Sequence, residues 1–349
     1  MANHELFDVT IIGGGPAGLY SAFYSGLREM KTKIVEYQPE LGGKVQIYPE
    51  KMVWDVGGLL PTPGAQLREQ LVQQGLTFNP DVVVNEKITS IDKDEVGNFV
   101  LHSASGRKHY SKTVIVATGS GILKPQKLNI EGAERFEVSN LHYTIKSLAR
   151  FKDKTVVISG GGNSAIDWAN ELEGIAKQVY LTYRKGDLKG HEAQISQLHE
   201  SSVTCLPYTQ VTKLLAKKDA SCIEYVELNH SETGESQTVA IDEMVINHGF
   251  DRDASLLENS LLDLQLIQDT FIEGTALSES SVDGIYAAGD ILMHEGKLNL
   301  IAGAFQDAAN AVNRAKTYID PTAQKAGLVS SHNDVFKERN KKLVQEMIR

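Results

Sequence analysis

Apolar runs closed by glycine set the plan of this chain. Residues 7–12 form a mostly apolar run that ends in Gly13-Gly14-Gly15-Pro16-Ala17-Gly18, and residues 17–27 then carry helical spacing. The pattern predicts a buried strand, a tight turn and a helix. Lys33-Ile34-Val35 follows as a short strand that ends in Glu36. One domain length later the order returns: a strand over 155–159, the loop Gly160-Gly161-Gly162-Asn163-Ser164-Ala165, a helix to about residue 176, a strand over 178–182, then Tyr183-Arg184-Lys185.

Behind each loop the period drops to two. Short strands are predicted over 82–84, 87–92, 98–103 and 113–116, with turns at Glu95-Val96-Gly97-Asn98 and Ser105-Gly106-Arg107. A second set is predicted over 203–206, 211–215, 222–229, 237–241 and 243–249. A strand ending in Ala288-Gly289-Asp290 leads to a long helical stretch, 301–318, stopped by Asp320-Pro321. No third glycine loop precedes that stretch, so it is expected to return to the first unit. The expected architecture is α/β: two Rossmann-like three-layer nucleotide-binding domains, the first from residues 1–119 and 284–349, the second, 120–283, inserted in it. The Gly-containing connections near 119–121 and 282–284 are the expected hinges.

Each loop implies a dinucleotide. Gly13, Gly15 and Gly18 let the backbone approach a pyrophosphate, whose charge then rests on the N-terminus of the helix begun by Pro16 and Ala17. Glu36, 18 residues past Gly18, can accept hydrogen bonds from both ribose hydroxyls and repels a 2′-phosphate, which suits FAD or NAD. Gly160, Gly162, Asn163 and Ser164 repeat the cradle. Here, however, Arg184 stands 19 residues past Ala165, with Lys185 beside it and Lys189 close behind. A guanidinium at that place can take a phosphate bidentately, which implies NADP.

Composition narrows the classes. The 349 residues are 41% hydrophobic and 23% charged, ordinary for a globular protein of two domains. A net charge of -10 argues against nucleic acid as partner. With no apolar run long enough to span a membrane and no leader pattern, a soluble cytoplasmic protein is expected. A local basic cluster, Lys337, Arg339, Lys341 and Lys342, could still meet an acidic protein. The two cysteines, Cys205 and Cys222, lack the spacing of a redox pair or metal site, and Cys205 is expected to pack as a small hydrophobe.

The motifs GGGPAG at 13–18, ATG at 117–119, GGGNSA at 160–165 and YAAGD at 286–290, in this order, resemble the two-domain flavoprotein oxidoreductases of thioredoxin reductase type. That resemblance implies FAD in the first site, NADPH in the second, and a homodimer. Thioredoxin reductases carry a C-x-x-C pair in the second domain, which this chain lacks, so electrons are expected to leave the flavin directly for an outside partner. Residues 41–49 and a tail containing Ser330-Ser331-His332 resemble segments of the ferredoxin–NADP reductases of this type. Carried over, the resemblance implies that Glu36 binds the adenosine ribose and Asp290 the ribityl chain or pyrophosphate. Ile88 and Leu123 would contact adenine and flavin, Lys44 and Tyr48 would line the isoalloxazine, and Ser331 and His332 would meet it from the tail. Lys44 stands where many relatives have Gln.

The activity so implied is electron transfer between NADPH and ferredoxin or flavodoxin through FAD, with no side chain as acid, base or nucleophile. The alternatives are an NADPH-dependent low-molecular-weight disulfide reductase of bacillithiol type and, from another class, a flavin redox sensor without turnover.

Overall fold

The computed structural model describes residues 4–121, 124–251, 253–327 and 334–348. The chain divides into two compact units, one of residues 1–46, 51–122 and 252–349, the other of 47–50 and 123–251.

In the first unit, the apolar run becomes the strand Leu6–Ile12, flanked in parallel by Thr32–Val35 and by Lys108–Val116. Asp81–Val83 extends the sheet beyond Thr32–Val35. Lys108–Val116 has two neighbours on its other side. Its first half pairs antiparallel with Phe99–Ser103, which pairs in turn with Ile88–Lys93; its last three residues pair parallel with Ile285–Ala287. The meander and the returning strand thus share one long strand. Val9, Ile11, Val114, Ile115 and Val116 are fully buried, as strands covered on both faces require. The loop helix, Pro16–Leu27, packs against the long helix, Ile301–Ile319, whose alanines 304, 308, 311 and 315 are all buried.

The return to this unit begins earlier than the pattern predicted. Residues 252–283 belong here, not to the inserted domain: Leu256, Leu257 and Ile272 join the core around Phe99 and Ile285. The expected hinge at 282–284 is therefore internal. The Gly284 carbonyl oxygen accepts the Val114 amide at 2.9 Å, and a Cβ on Gly284 would stand 2.8 Å from the Phe99 ring. The chain passes between units near residue 251 instead, just after Gly249 at φ +99°.

The second unit repeats the parallel arrangement in the order Thr204–Leu206, Gln178–Thr182, Thr155–Ser159, Glu243–Ile246, Leu141–His142. Its meander, Thr209–Ala216, Ile223–His230 and Ser236–Ala240, is a separate antiparallel sheet. Buried Asn140 joins the two: its side-chain amide donates to the Ile223 and Asp242 carbonyls, each at 2.9 Å, and its oxygen accepts from the Ile223 amide.

Candidate functional site

In the first unit the turn after Leu6–Ile12 is held by backbone alone. The Gly13 amide donates to the Val35 carbonyl at 2.9 Å, and Gly13 sits at φ +108°, where any Cβ would lie 2.4 Å from the Ala117 oxygen. Gly18 is closer still: a Cβ there would be 1.9 Å from the Gly13 oxygen. The helix begins with Gly15 as N-cap and Pro16 in its first turn, with no side chain capping it and no acid in that turn. Its end is left to backbone amides and the helix dipole, which is the donor set an anion needs.

Glu36 lies beside this turn and is 7% exposed. Its carboxylate accepts the Gly14 amide at 2.5 Å and the Gln38 amide at 2.7 Å. Burial pushes its pKa up, and the backbone donors of Gln38, Gly14 and Tyr37 oppose that shift. Two carboxylate oxygens have acceptor capacity beyond two amides, enough for vicinal hydroxyls.

A second loop closes the cradle. The Gly42 amide donates to the Gly14 oxygen at 2.8 Å, and Gly43 approaches Gly15 so tightly that a Cβ on it would be 2.7 Å from the Gly15 Cα. Arg68 fastens this loop, with Nε on the Leu41 carbonyl at 2.7 Å and Nη2 on Glu40 at 2.6 Å. No motif announces Arg68; only the Gly42-Gly43 doublet marked the spot. Lys44 is exposed, its Nζ 3.0 Å from the Ser120 hydroxyl. Across the sheet end, Asp290 follows Gly289, whose φ is +78° and whose Cβ would press on Ala17 at 3.0 Å. Ile88 is 4% exposed in the core with Val35 and Phe99, which leaves its side chain no open face for a ligand.

The second unit carries the same bonding with different charges. The Gly160 amide donates to the Thr182 carbonyl at 2.9 Å, as Gly13 does to Val35, and the helix Asn163–Glu173 starts from Gly162 with no side-chain cap. Gly162, Asn163 and Ser164 are exposed, and the Asn163 side chain accepts the His191 amide at 3.1 Å. Where the first unit has buried Glu36, this one has Arg184, Lys185 and Lys189, all exposed and without an ion pair among the described residues. The Lys189 backbone is tied to the loop, its amide donating to the Gly161 oxygen at 2.8 Å. His248, unmarked by any motif, lies near Arg184, with Nε2 2.9 Å from the Ser159 hydroxyl; burial first, and Arg184's charge second, lower its pKa. Cys205 and Cys222 are both free thiols, and half-buried Cys205 packs against this unit's core, where burial pushes its pKa up.

A family model described as pyridine nucleotide-disulphide oxidoreductase matches residues 7–315. The chain is 68% identical over 349 residues, all of both chains, to Ferredoxin--NADP reductase 1 of Bacillus mycoides. It is 67% identical over 348 residues to Ferredoxin--NADP reductase 2 of Exiguobacterium sibiricum, covering all of this chain and 99% of the relative. The chain belongs to the ferredoxin–NADP reductases. Among solved structures it resembles the thioredoxin reductase of T. acidophilum, with TM-score 0.75 and 24% identity over 91% of this chain and 99% of the other. The bacillithiol disulfide reductase Bdr of Staphylococcus aureus gives TM-score 0.68 at 20% identity, over 91% and 100%. Both share the fold of this ferredoxin–NADP reductase family member.

Of the remaining expected residues, one lies among the described residues. Tyr48 groups with the second unit, half-buried against the core that contains Phe151 and Trp168. A tyrosine ring gains apolar cover there. Leu123, Ser331 and His332 lie outside the described residues. Of the basic cluster, Arg339 is already engaged, donating to the Thr77 carbonyl at 2.5 Å and lying over the Phe78 ring, and Lys341 pairs with Glu338 at 2.7 Å.

Proposed function

We propose that this chain moves electrons between NADPH and a small one-electron carrier, ferredoxin or flavodoxin, through FAD. One observation carries the reading: two helix N-termini without a side-chain cap, in matching glycine turns, stand beside opposite charges, buried Glu36 in one unit and, in the other, Arg184, Lys185 and Lys189, exposed and without an ion pair among the described residues.

The first unit fits FAD. Gly13, Gly15, Pro16, Ala17 and Gly18 leave room and donors for a pyrophosphate, Glu36 offers acceptors to a ribose, and Asp290 offers a carboxylate at the sheet end. Lys44 extends from the Gly42-Gly43 loop to the same region as Ser120. Bound FAD would supply the conversion between two-electron and one-electron transfer that no side chain performs. The second unit holds NADPH, with Gly160, Gly162, Asn163 and Ser164 at the pyrophosphate and Arg184, Lys185 and Lys189 at the 2′-phosphate. With neither cysteine placed as a relay, the chain has no dithiol of its own to intervene. Tyr48, Ser331 and His332 complete the reading as flavin-stacking or tail contacts. We further propose a cytoplasmic homodimer; among the described residues no helix is long and apolar enough to cross a membrane.

An anaerobic titration of the yellow protein with NADPH, followed by oxidised ferredoxin, tests this. Bleaching and then recovery of the flavin spectrum is the expected result. Bleaching that a disulfide reverses and ferredoxin does not would transfer the assignment to a disulfide reductase, and no bleaching would leave a sensor.

A further inference from the structure

Behind the Gly289-Asp290 turn sits a buried ion pair that neither nucleotide loop uses. Asp307, on the second turn of Ile301–Ile319, is 5% exposed, and the Lys297 side chain is 4% exposed. Asp307 Oδ2 accepts both the Lys297 ammonium and, at 3.0 Å, the backbone amide of Gly289. Its backbone carbonyl accepts the Ser278 hydroxyl at 2.9 Å. His294 Nε2 stands 4.0 Å from Oδ1, while its Nδ1 lies 2.6 Å from the Glu295 carbonyl.

A buried ion pair contributes little net stability, because desolvation of both groups offsets their attraction. Its geometry has a more specific consequence. Gly289 lies at φ +78°, and the residue after it is Asp290, half-buried with no hydrogen-bond partner among the described residues. The turn is held at three points: the Ala288 amide on the Val116 carbonyl at 3.0 Å, the Leu292 amide on the Gly289 carbonyl at 3.0 Å, and the Gly289 amide on Asp307. Among the described residues only the last comes from a side chain, and it alone links the turn to the long helix by a hydrogen bond.

We infer that Asp307, with Lys297 as its counter-ion, is a positioning residue that sets the Gly289-Asp290 turn for FAD. Asp307 acts through the Gly289 amide and does not touch the cofactor itself. The inference rests on the FAD assignment made above.

Two double variants isolate the amide contact. Asp307→Asn with Lys297→Met keeps an oxygen for Gly289 and removes both charges; Asp307→Leu with Lys297→Met removes the oxygen as well, and fills the space with apolar groups. FAD affinity is measured on the apoproteins by quenching of flavin fluorescence, with the visible circular dichroism of bound FAD and the melting of each apoprotein alongside. The Asn/Met protein is expected to bind within about threefold of the parent, and the Leu/Met protein about tenfold more weakly, the scale of one hydrogen bond, with an altered flavin dichroism. Equal affinities and equal dichroism in the two would overturn the inference, even if their melting points differ. Should the Leu/Met protein not fold, Asp307→Ala with Lys297→Met, which leaves space in place of a clash, makes the same comparison. A parent protein that binds no FAD would refute the assignment beneath, not the role of Asp307.

Discussion

The two glycine turns differ at their last position, Gly18 in one and Ala165 in the other, and exchanging them should have unequal effects. In Gly18→Ala the new Cβ would start 1.9 Å from the Gly13 oxygen and 3.3 Å from Ile11 Cγ2. A tolerable carbon–oxygen approach is about 3.3 Å, so roughly 1.4 Å must be found. Gly13 cannot supply it. Its amide is bonded to Val35 at 2.9 Å, and its own Cα faces the Ala117 carbonyl with no space for a further atom. The helix must move instead, which breaks the approach of its N-terminus to the loop. A cost of about 3 kcal/mol, the upper end for overpacking, lowers the unit's melting point by about 6–12 °C.

The reverse change only removes atoms. Ala165 is fully buried, so Ala165→Gly forfeits one methyl, about 0.8 kcal/mol, and adds about 0.5–1 kcal/mol of backbone entropy in a helix. Thermal melting of the apoproteins, with the ratio of flavin to protein absorbance on purification, checks both. Gly18→Ala is expected colourless and strongly destabilised, Ala165→Gly yellow and mildly so. A yellow Gly18→Ala protein melting within about 3 °C of the parent would show that the first turn has slack, and the packing argument for a pyrophosphate cradle would fail.

Other consequences are simpler to read. Arg184→Glu should raise the KM for NADPH at least about tenfold while changing that for NADH far less, since it reverses one exposed charge that has no ion pair among the described residues; equal losses for both would refute the 2′-phosphate assignment. His109 is 6% exposed, its Nε2 without a hydrogen-bond partner among the described residues, and its pKa is lowered by burial first and by Lys33 second. The unfolded chain therefore binds a proton that the native state refuses. Stability is intact above pH about 6.5 and is lost as pH falls from there to the lowered native value; in His109→Leu the denaturant midpoint should lose that slope. Phe336 sits between Phe23 and Phe78, with ring centroids 6.4 and 5.5 Å away, so Phe336→Ala removes about 1–2 kcal/mol of docking from the helix Lys337–Met347. Trypsin should then cut that helix severalfold faster while the melting point of the body stays put.

What the sequence made legible is what the backbone itself demands. Gly13 and Gly18 must be glycine because another backbone atom occupies the space of a side chain, and the charges at Glu36 and Arg184 follow each turn at a spacing set by one strand and one helix. Such features are local, and a reader of residues finds them. The long helix was equally plain, 301–318 expected against Ile301–Ile319 observed, because its buried alanines recur at helical spacing. The helix Gly64–Gly75 was not, since four of its twelve residues are Gln and only Leu67 and Leu71 of its large apolar residues are buried.

The remaining differences share one cause. Leu256, Leu257 and Ile272 are apolar residues that either core could accept, so nothing along the chain says that 252–283 joins the first unit. Tyr48, within the segment that resembles a flavin lining, has an amphipathic ring that also takes apolar cover from the second unit's core. Asp307 and Arg68 show the other side of the same limit. Each is one charged residue on a helix, indistinguishable by pattern from a solvated one, until the fold brings a glycine turn within reach of it. Ligand-facing backbone is therefore written locally, while the side chains that hold it in place are chosen by tertiary structure. For this reason the Gly289 amide, and not the acid after it, is where the structure adds most to the sequence.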